Sequence, residues 1–200
     1  NNLSAAFTNA YSTAISGKPG ASFLSLPADV LSGVVTRPEM QQLQAPEQTP
    51  TSAKTLDQII NLLKNAKLPV IMAGMRASSP AVTEALHQLL AKVSLPVVET
   101  YQGAGAISHE FEADYFGRVG LFRNQIGDTL LKQSDLVIAI GYDPVEYEAR
   151  NWNVEHNDQI INIDTVAPEL TVDYQPDMVI ESDIAGTLSA LTDALPASYH

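Results

Sequence analysis

The chain has 200 residues, 45% of them hydrophobic and 17% charged, which is enough for one full domain and a remnant of a second. It contains no cysteine, which excludes disulfides, thiolate nucleophiles and cysteine-ligated zinc or iron–sulfur centres. Eleven Lys and Arg against 23 Asp and Glu give a net charge of −12, a balance that repels nucleic acid and anionic lipid, and no apolar run approaches the ~18 residues of a membrane span. The opening NNLSAAF lacks the basic and apolar regions of a signal peptide, so a cytoplasmic protein is expected. The missing initiator Met points to a piece of a longer chain.

Leu3, Phe7, Ala10, Ala14 and Ile15 recur at helical spacing and predict a helix over 3–16, stopped by Gly17-Lys18-Pro19-Gly20. A short strand is predicted over 22–26, closed by Pro27. A helix and a strand alone cannot make a domain, so residues 1–30 read as the tail of a preceding one. Residues 31–51, with Pro38, Pro46, Pro50 and several Gln, read as an extended linker. From Ser52 to about 195 strands and helices alternate. Thr51 or Ser52 caps a helix over 53–66 that buries Leu56, Ile59, Ile60 and Leu63. Strands follow at 68–73, 96–100, 116–119, 135–140, 159–163 and 178–181. Helices are predicted over 80–93, with Pro80 at its first position, over 127–133, with Asp128 as its cap, and over 183–194. Residues 101–115 read as loop with one helical turn. The alternation predicts an α/β fold: a six-stranded, parallel, Rossmann-like sheet with helices on both faces, preceded by a helix–strand arm.

Ligands of such sheets bind beyond the carboxyl ends of the strands. Gly74, after the first strand, lets backbone approach a phosphate, but it stands alone where a dinucleotide fingerprint has three glycines, so a tight strand–helix turn competes. Gly103 and Gly105 form a loop that cradles a nucleotide, faces a neighbouring domain, or is simply mobile. Residues 120–128 carry Arg123, Asn124 and Gln125, suited to hydrogen-bonding a polar ligand or to an ordinary surface loop. Asp164, just past a strand, suits a ribose hydroxyl or a helix N-cap ahead of Pro168 and Glu169. Glu146, Glu148 and Glu155 read as a solvated face, His87 as packing or surface, and Trp152 as a core or interface anchor. No two of the four histidines have metal-ligand spacing, so no metal site is expected. The residues thus give a Rossmann-like layer with degraded nucleotide glycines and no catalytic constellation.

Gly17-Lys18-Pro19-Gly20-Ala21-Ser22-Phe23-Leu24-Ser25-Leu26-Pro27-Ala28-Asp29-Val30 resembles the close of the pyrimidine-binding domain of thiamine-diphosphate enzymes, and residues 52–185 resemble their central domain. Arg118-Val119-Gly120-Leu121-Phe122-Arg123-Asn124-Gln125, followed by Gly127-Asp128, is similar to the catabolic acetolactate synthases among them, as is Ile140-Gly141-Tyr142-Asp143-Pro144-Val145-Glu146-Tyr147-Glu148. The resemblance implies a parent enzyme that condenses two molecules of pyruvate into 2-acetolactate with loss of CO2, using thiamine diphosphate and Mg2+ bound outside this segment. It implies no catalytic residue here and an inactive fragment that acts as scaffold, with Arg123, Asn124 and Gln125 as candidates for an active-site wall. Ala73-Gly74-Met75 stands where FAD-binding relatives carry a glycine-rich turn, and Gly141-Tyr142-Asp143-Pro144 lacks their arginine, so FAD is not expected. Gly74, Gly103, Gly105 and Asp164 would then be a vestigial nucleotide site. A homo-oligomer, dimer or tetramer, is implied, and the apolar surface of the first 30 residues is expected to favour association. The competing readings are a self-contained FAD- or NAD-binding module and another thiamine-diphosphate enzyme, such as a pyruvate oxidase or a decarboxylase.

Overall fold

The computed structural model describes residues 3–34, 49–122, 125–154 and 159–196. The chain divides into two compact units, Asn1–Gln48 and Thr49–His200. In the first, α1 spans Leu3–Ile15 and α2 spans Ala28–Leu31. Gly17, at φ +60°, turns the chain back along α1, where Gly20 N–H donates to the Ala14 carbonyl at 2.9 Å and the Ser22 hydroxyl to that of Ala10 at 2.7 Å. Residues 22–26, predicted as a strand, form none. A strand is fixed by a neighbour's backbone, and the described residues of this unit include no partner strand. Neither helix buries a residue, and Leu3, Phe7, Tyr11, Phe23, Leu26 and Leu31 are all exposed. Most of the predicted linker, residues 35–48, lies outside the described residues.

The second unit holds the sheet. Its strands are β1 Pro69–Ala73, β2 Val97–Thr100, β3 Tyr115–Val119, β4 Leu136–Ile140, β5 Gln159–Asp164 and β6 Met178–Glu181, and its helices are α3 Ala53–Asn65, α4 Pro80–Lys92, α5 Ile126–Gln133 and α6 Ile184–Ala194. All strands are parallel, in the order β3-β2-β1-β4-β5-β6. The direction of strand addition reverses between β1 and β4, where Ile71 lies beside Ile138, itself beside Ile161. Unbroken apolar runs such as LVIAI form the strands because both faces are covered. Alternate side chains go to opposite cores. Ile71, Val97, Ile138, Ile161 and Ile180 pack with α3, α4 and α6, while Val70, Met72, Val98, Val137 and Ile160 pack with Leu130 and Leu131 of α5.

The two faces are clad unequally. Beside α5, the second face is covered by side chains from the irregular connections after β4 and β5: Tyr142, Trp152 and Tyr174, each almost fully buried, meet edge-on at centroid distances of 5.2 to 6.2 Å. Among the described residues these connections contain no α-helix; Ala149–Asn151 is a single 3-10 turn. Asp164 therefore caps no helix, and the turn predicted within 101–115 is His109–Phe111.

Local chemistry sets the element ends. Ser52 Oγ accepts from Thr55 N–H at 3.2 Å and starts α3, while Thr51 instead bonds Ser182 and Thr187 at 3.0 and 2.6 Å. Asp183 caps α6 through Gly186 N–H at 2.8 Å. Asp128 is not the N-cap of α5: it sits in the first turn and its carboxylate accepts from the N–H of Gln125, the N-cap, at 2.8 Å. At the amino end of the sheet the Asp135 carboxylate accepts from Lys67 N–H at 2.8 Å and Leu68 N–H at 2.9 Å, tying the entry of β1 to that of β4. Burial works against this charge, but the two N–H donors outweigh it and hold the Asp135 pKa below the usual carboxylate value. A lowered folded-state pKa stabilises the fold above the unfolded value of about 3.9 and is lost as pH falls through the folded value. Asp135→Asn should therefore lower unfolding free energy by about 1 kcal/mol at neutral pH, with the deficit shrinking below pH ~3.9. Urea unfolding at pH 7 and pH 3 measures both.

Candidate functional site

The site is the crevice at the carboxyl ends of the strands, above the reversal between β1 and β4, where open α/β sheets bind ligands. Here the crevice is closed by the chain itself. Gly74 donates to the Ile140 carbonyl at 2.9 Å, and Arg76 N–H to that of Gly141 at 3.1 Å. A Cβ on Gly74 would lie 2.4 Å from Cα of Tyr142, and one on Gly103 would lie 2.4 Å from the carbonyl oxygen of Ala73. Both glycines thus permit backbone to lie against backbone. Gly141 completes the contact with φ +57° and with its Cβ direction blocked by Ala77 N at 2.7 Å.

Four charges from three strand ends meet in this contact. The 3-10 turn Met75–Ser78 carries Arg76, whose Nε donates to Asp164 at 2.8 and 3.0 Å and whose Nη2 donates to it at 2.5 Å. The same guanidinium reaches the Tyr142 carbonyl at 3.3 Å and lies 3.7 Å from Asp143. The Arg76 and Asp164 side chains are only 13% and 2% exposed, so this ion pair is bidentate and largely dry. Burial works against the arginine charge, but Asp164, Asp143 and Glu146 together hold its pKa above the usual value. Both Asp164 oxygens face the guanidinium. Glu146, expected on a solvated face, instead turns inward: its carboxylate accepts from Met75 N–H at 3.0 and 3.1 Å, from Asp143 N–H at 3.0 Å and from the Thr100 hydroxyl at 2.5 Å. A carboxylate therefore holds the N–H that would meet a phosphate in a dinucleotide site. Glu148 does lie in solvent, paired with Arg150, and Glu155 is outside the described residues.

The glycine loop after β2 is pinned. Glu99, 2% exposed, accepts from Gly105 N–H at 3.2 Å and Ile107 N–H at 2.8 Å with one oxygen, and from the Tyr115 hydroxyl at 3.0 Å with the other. His87 Nε2 pairs with the Ala106 carbonyl at 2.9 Å while its ring packs on Phe111. Burial, then Glu99, pushes the Tyr115 phenol up to about 12, so it stays a neutral donor. Gly105 is exposed at φ +96° with no atom near its Cβ direction, away from the closed crevice.

Of the expected wall residues, Arg123 and Asn124 lie outside the described residues. Gln125 ends the β3–α5 connection, and Leu121 and Phe122, just before it, stand 53% and 68% exposed beside an open cleft that also borders Val145, Tyr147 and Glu148. Gly74, Gly103 and Asp164 do come together, but as parts of the closure. Arg76 and Glu146, which make it, were assigned no site role from the sequence; the signal was their placement, Arg76 two residues past Gly74 and Glu146 five past Gly141.

Comparison with known proteins places this geometry. The family model for the thiamine pyrophosphate enzyme central domain matches residues 56–191. The chain belongs to the thiamine pyrophosphate enzymes. It is 42% identical over 199 residues to an acetolactate synthase of Bacillus subtilis and 36% identical over 193 residues to a catabolic acetolactate synthase of Raoultella terrigena. These alignments cover 99% and 96% of the chain but only 35% and 34% of the relatives, so it spans about a third of their length. An X-ray structure of a candidate thiamin diphosphate-dependent enzyme from Mycobacterium smegmatis superposes with a TM-score of 0.76 at 20% identity, over 98% of this chain and 38% of that one, and shares the fold. The six-stranded parallel sheet expected from the sequence is thus that of this family's central domain.

The closure has a measurable cost to disturb. Gly105→Ala should cost about 1–2 kcal/mol, from backbone strain alone. Gly74→Ala forces backbone atoms apart at the strand reversal and should cost about 3 kcal/mol or more. Paired denaturant melts of the two variants test the difference.

Proposed function

We propose that this chain is the central domain, with the tail of the pyrimidine-binding domain over residues 1–30 and a linker over 31–51, of a longer acetolactate synthase that condenses two molecules of pyruvate to 2-acetolactate and releases CO2. The observation that carries the reading is near-complete alignment with two acetolactate synthases, one of them named as catabolic. Thiamine diphosphate supplies the carbanion chemistry in this family. The residues described here do not fit the cofactor's diphosphate or its Mg2+. No group of three His, Asp or Glu side chains among them suits a metal ion, and the turn N–H best placed for a phosphate is held by Glu146. On this reading the cofactor is bound by parts of the enzyme beyond this segment, and this chain contributes scaffold and, through Gln125 with Arg123 and Asn124, one wall of the site. The same closed crevice supports a synthase that works without FAD and counts against a self-contained FAD- or NAD-binding module. We read the parent as a cytoplasmic homo-oligomer, dimer or tetramer.

The full-length protein, purified and given pyruvate, thiamine diphosphate and Mg2+ without FAD, should form 2-acetolactate, and the 200-residue segment alone should form none and bind no FAD at micromolar concentration. Acetyl phosphate or acetaldehyde as the product would make the parent an oxidase or a decarboxylase, and micromolar FAD binding by the segment would favour the nucleotide module.

A further inference from the structure

Tyr147 reaches both ends of the connection from β3 to α5, one by direct packing and the other through Asp128. Gly120, at φ +95°, lies flat on Tyr147: a Cβ there would come 3.1 Å from Tyr147 Cβ and 3.2 Å from the Glu146 carbonyl oxygen. At the other end the Gln125 N–H donates to Asp128 Oδ2 at 2.8 Å, and the Tyr147 hydroxyl donates to Asp128 Oδ1 at 2.7 Å. Asp128 is 1% and Tyr147 8% exposed, so this carboxylate is buried and depends on its donors. Behind Tyr147 the chain of contacts continues into the core, since its carbonyl accepts from the Tyr142 hydroxyl, which in turn accepts from Trp152 Nε1 at 3.4 Å. In front of it, Leu121 and Phe122 project into solvent. A rigid base beneath two exposed apolar side chains is the arrangement of a presented loop, where flexible support would suffice for a solvated one.

We infer that Tyr147 is a positioning residue, acting through Asp128, for the substrate-facing flank formed by Phe122 and Gln125. The inference rests on the synthase reading for the substrate and for the side of the site that Phe122 and Gln125 face. In this role Tyr147 sets where Phe122 and Gln125 stand when a substrate binds.

The test uses the full-length enzyme and Tyr147→Phe, which keeps the ring and removes only the hydroxyl. KM for pyruvate should rise about three- to tenfold, the range that loss of one hydrogen bond produces, with kcat within about twofold. Amide exchange should quicken by about tenfold at Gln125 and stay unchanged in β1 and β4. Asp128→Asn is the second variant, and Tyr147→Phe combined with it should raise KM no further than Asp128→Asn alone. Unchanged KM in both single variants overturns the inference, whatever happens to exchange. Additive effects in the double variant overturn the route through Asp128. If the wild-type enzyme turns over a different 2-oxo acid, the synthase reading fails, while KM for that acid and exchange at Gln125 still decide the role of Tyr147.

Discussion

The arrangement depends on one close approach: the turn after β1 lies on the turn after β4, with room for nothing larger than a glycine at position 74. In an open α/β sheet the reversal of strand order normally leaves a crevice there. Here backbone fills it. Once the two turns touch, Arg76 is carried across to Asp164 and Glu146 is carried back to Met75 and Thr100, so the ends of β1, β2, β4 and β5 are joined by side chains. A site built for a ligand's phosphate would need these same donors free.

A chain with net charge −12 must place its carboxylates with care, and several of them are interior. Each of these faces donors. Asp164 faces a guanidinium; Glu146 faces two backbone N–H groups and a hydroxyl; Glu99 faces two N–H groups and a phenol; Asp128 faces one of each. The carboxylates thus act as staples for irregular backbone. That suits a layer whose working surface consists of loops, because loops lack the repeating hydrogen bonds that fix strands and helices.

The sheet was legible because its signals are local. Runs such as Leu136–Ile140 are apolar without interruption, and Ser52 and Pro80 mark helix starts where the structure has them. The strand expected at 22–26 failed for a non-local reason, since pairing needs a partner that the described residues of this unit do not include. The aromatic cover over the second face was invisible for a related one. Tyr142, Trp152 and Tyr174 have no common period, and only the fold brings them together. The candidate site was half legible. Gly74, Gly103 and Asp164 were found by position at strand ends, yet what they touch is set by Arg76 and Glu146, and the spacing of 88 residues between Arg76 and Asp164 carries no pattern that a sequence reader could follow.

The unequal cladding of the sheet has an optical consequence. Trp152 is the only tryptophan in the chain, and it is buried where the aromatic cover meets the hydrogen-bonded path toward the β3–α5 connection. Two tyrosines stand edge-on to its indole at 6.2 Å, close enough to pass excitation to it. The molecule therefore carries its own fluorophore at the place where core and working surface join. Its emission reports on that junction alone, since the helical face on the other side of the sheet holds no indole.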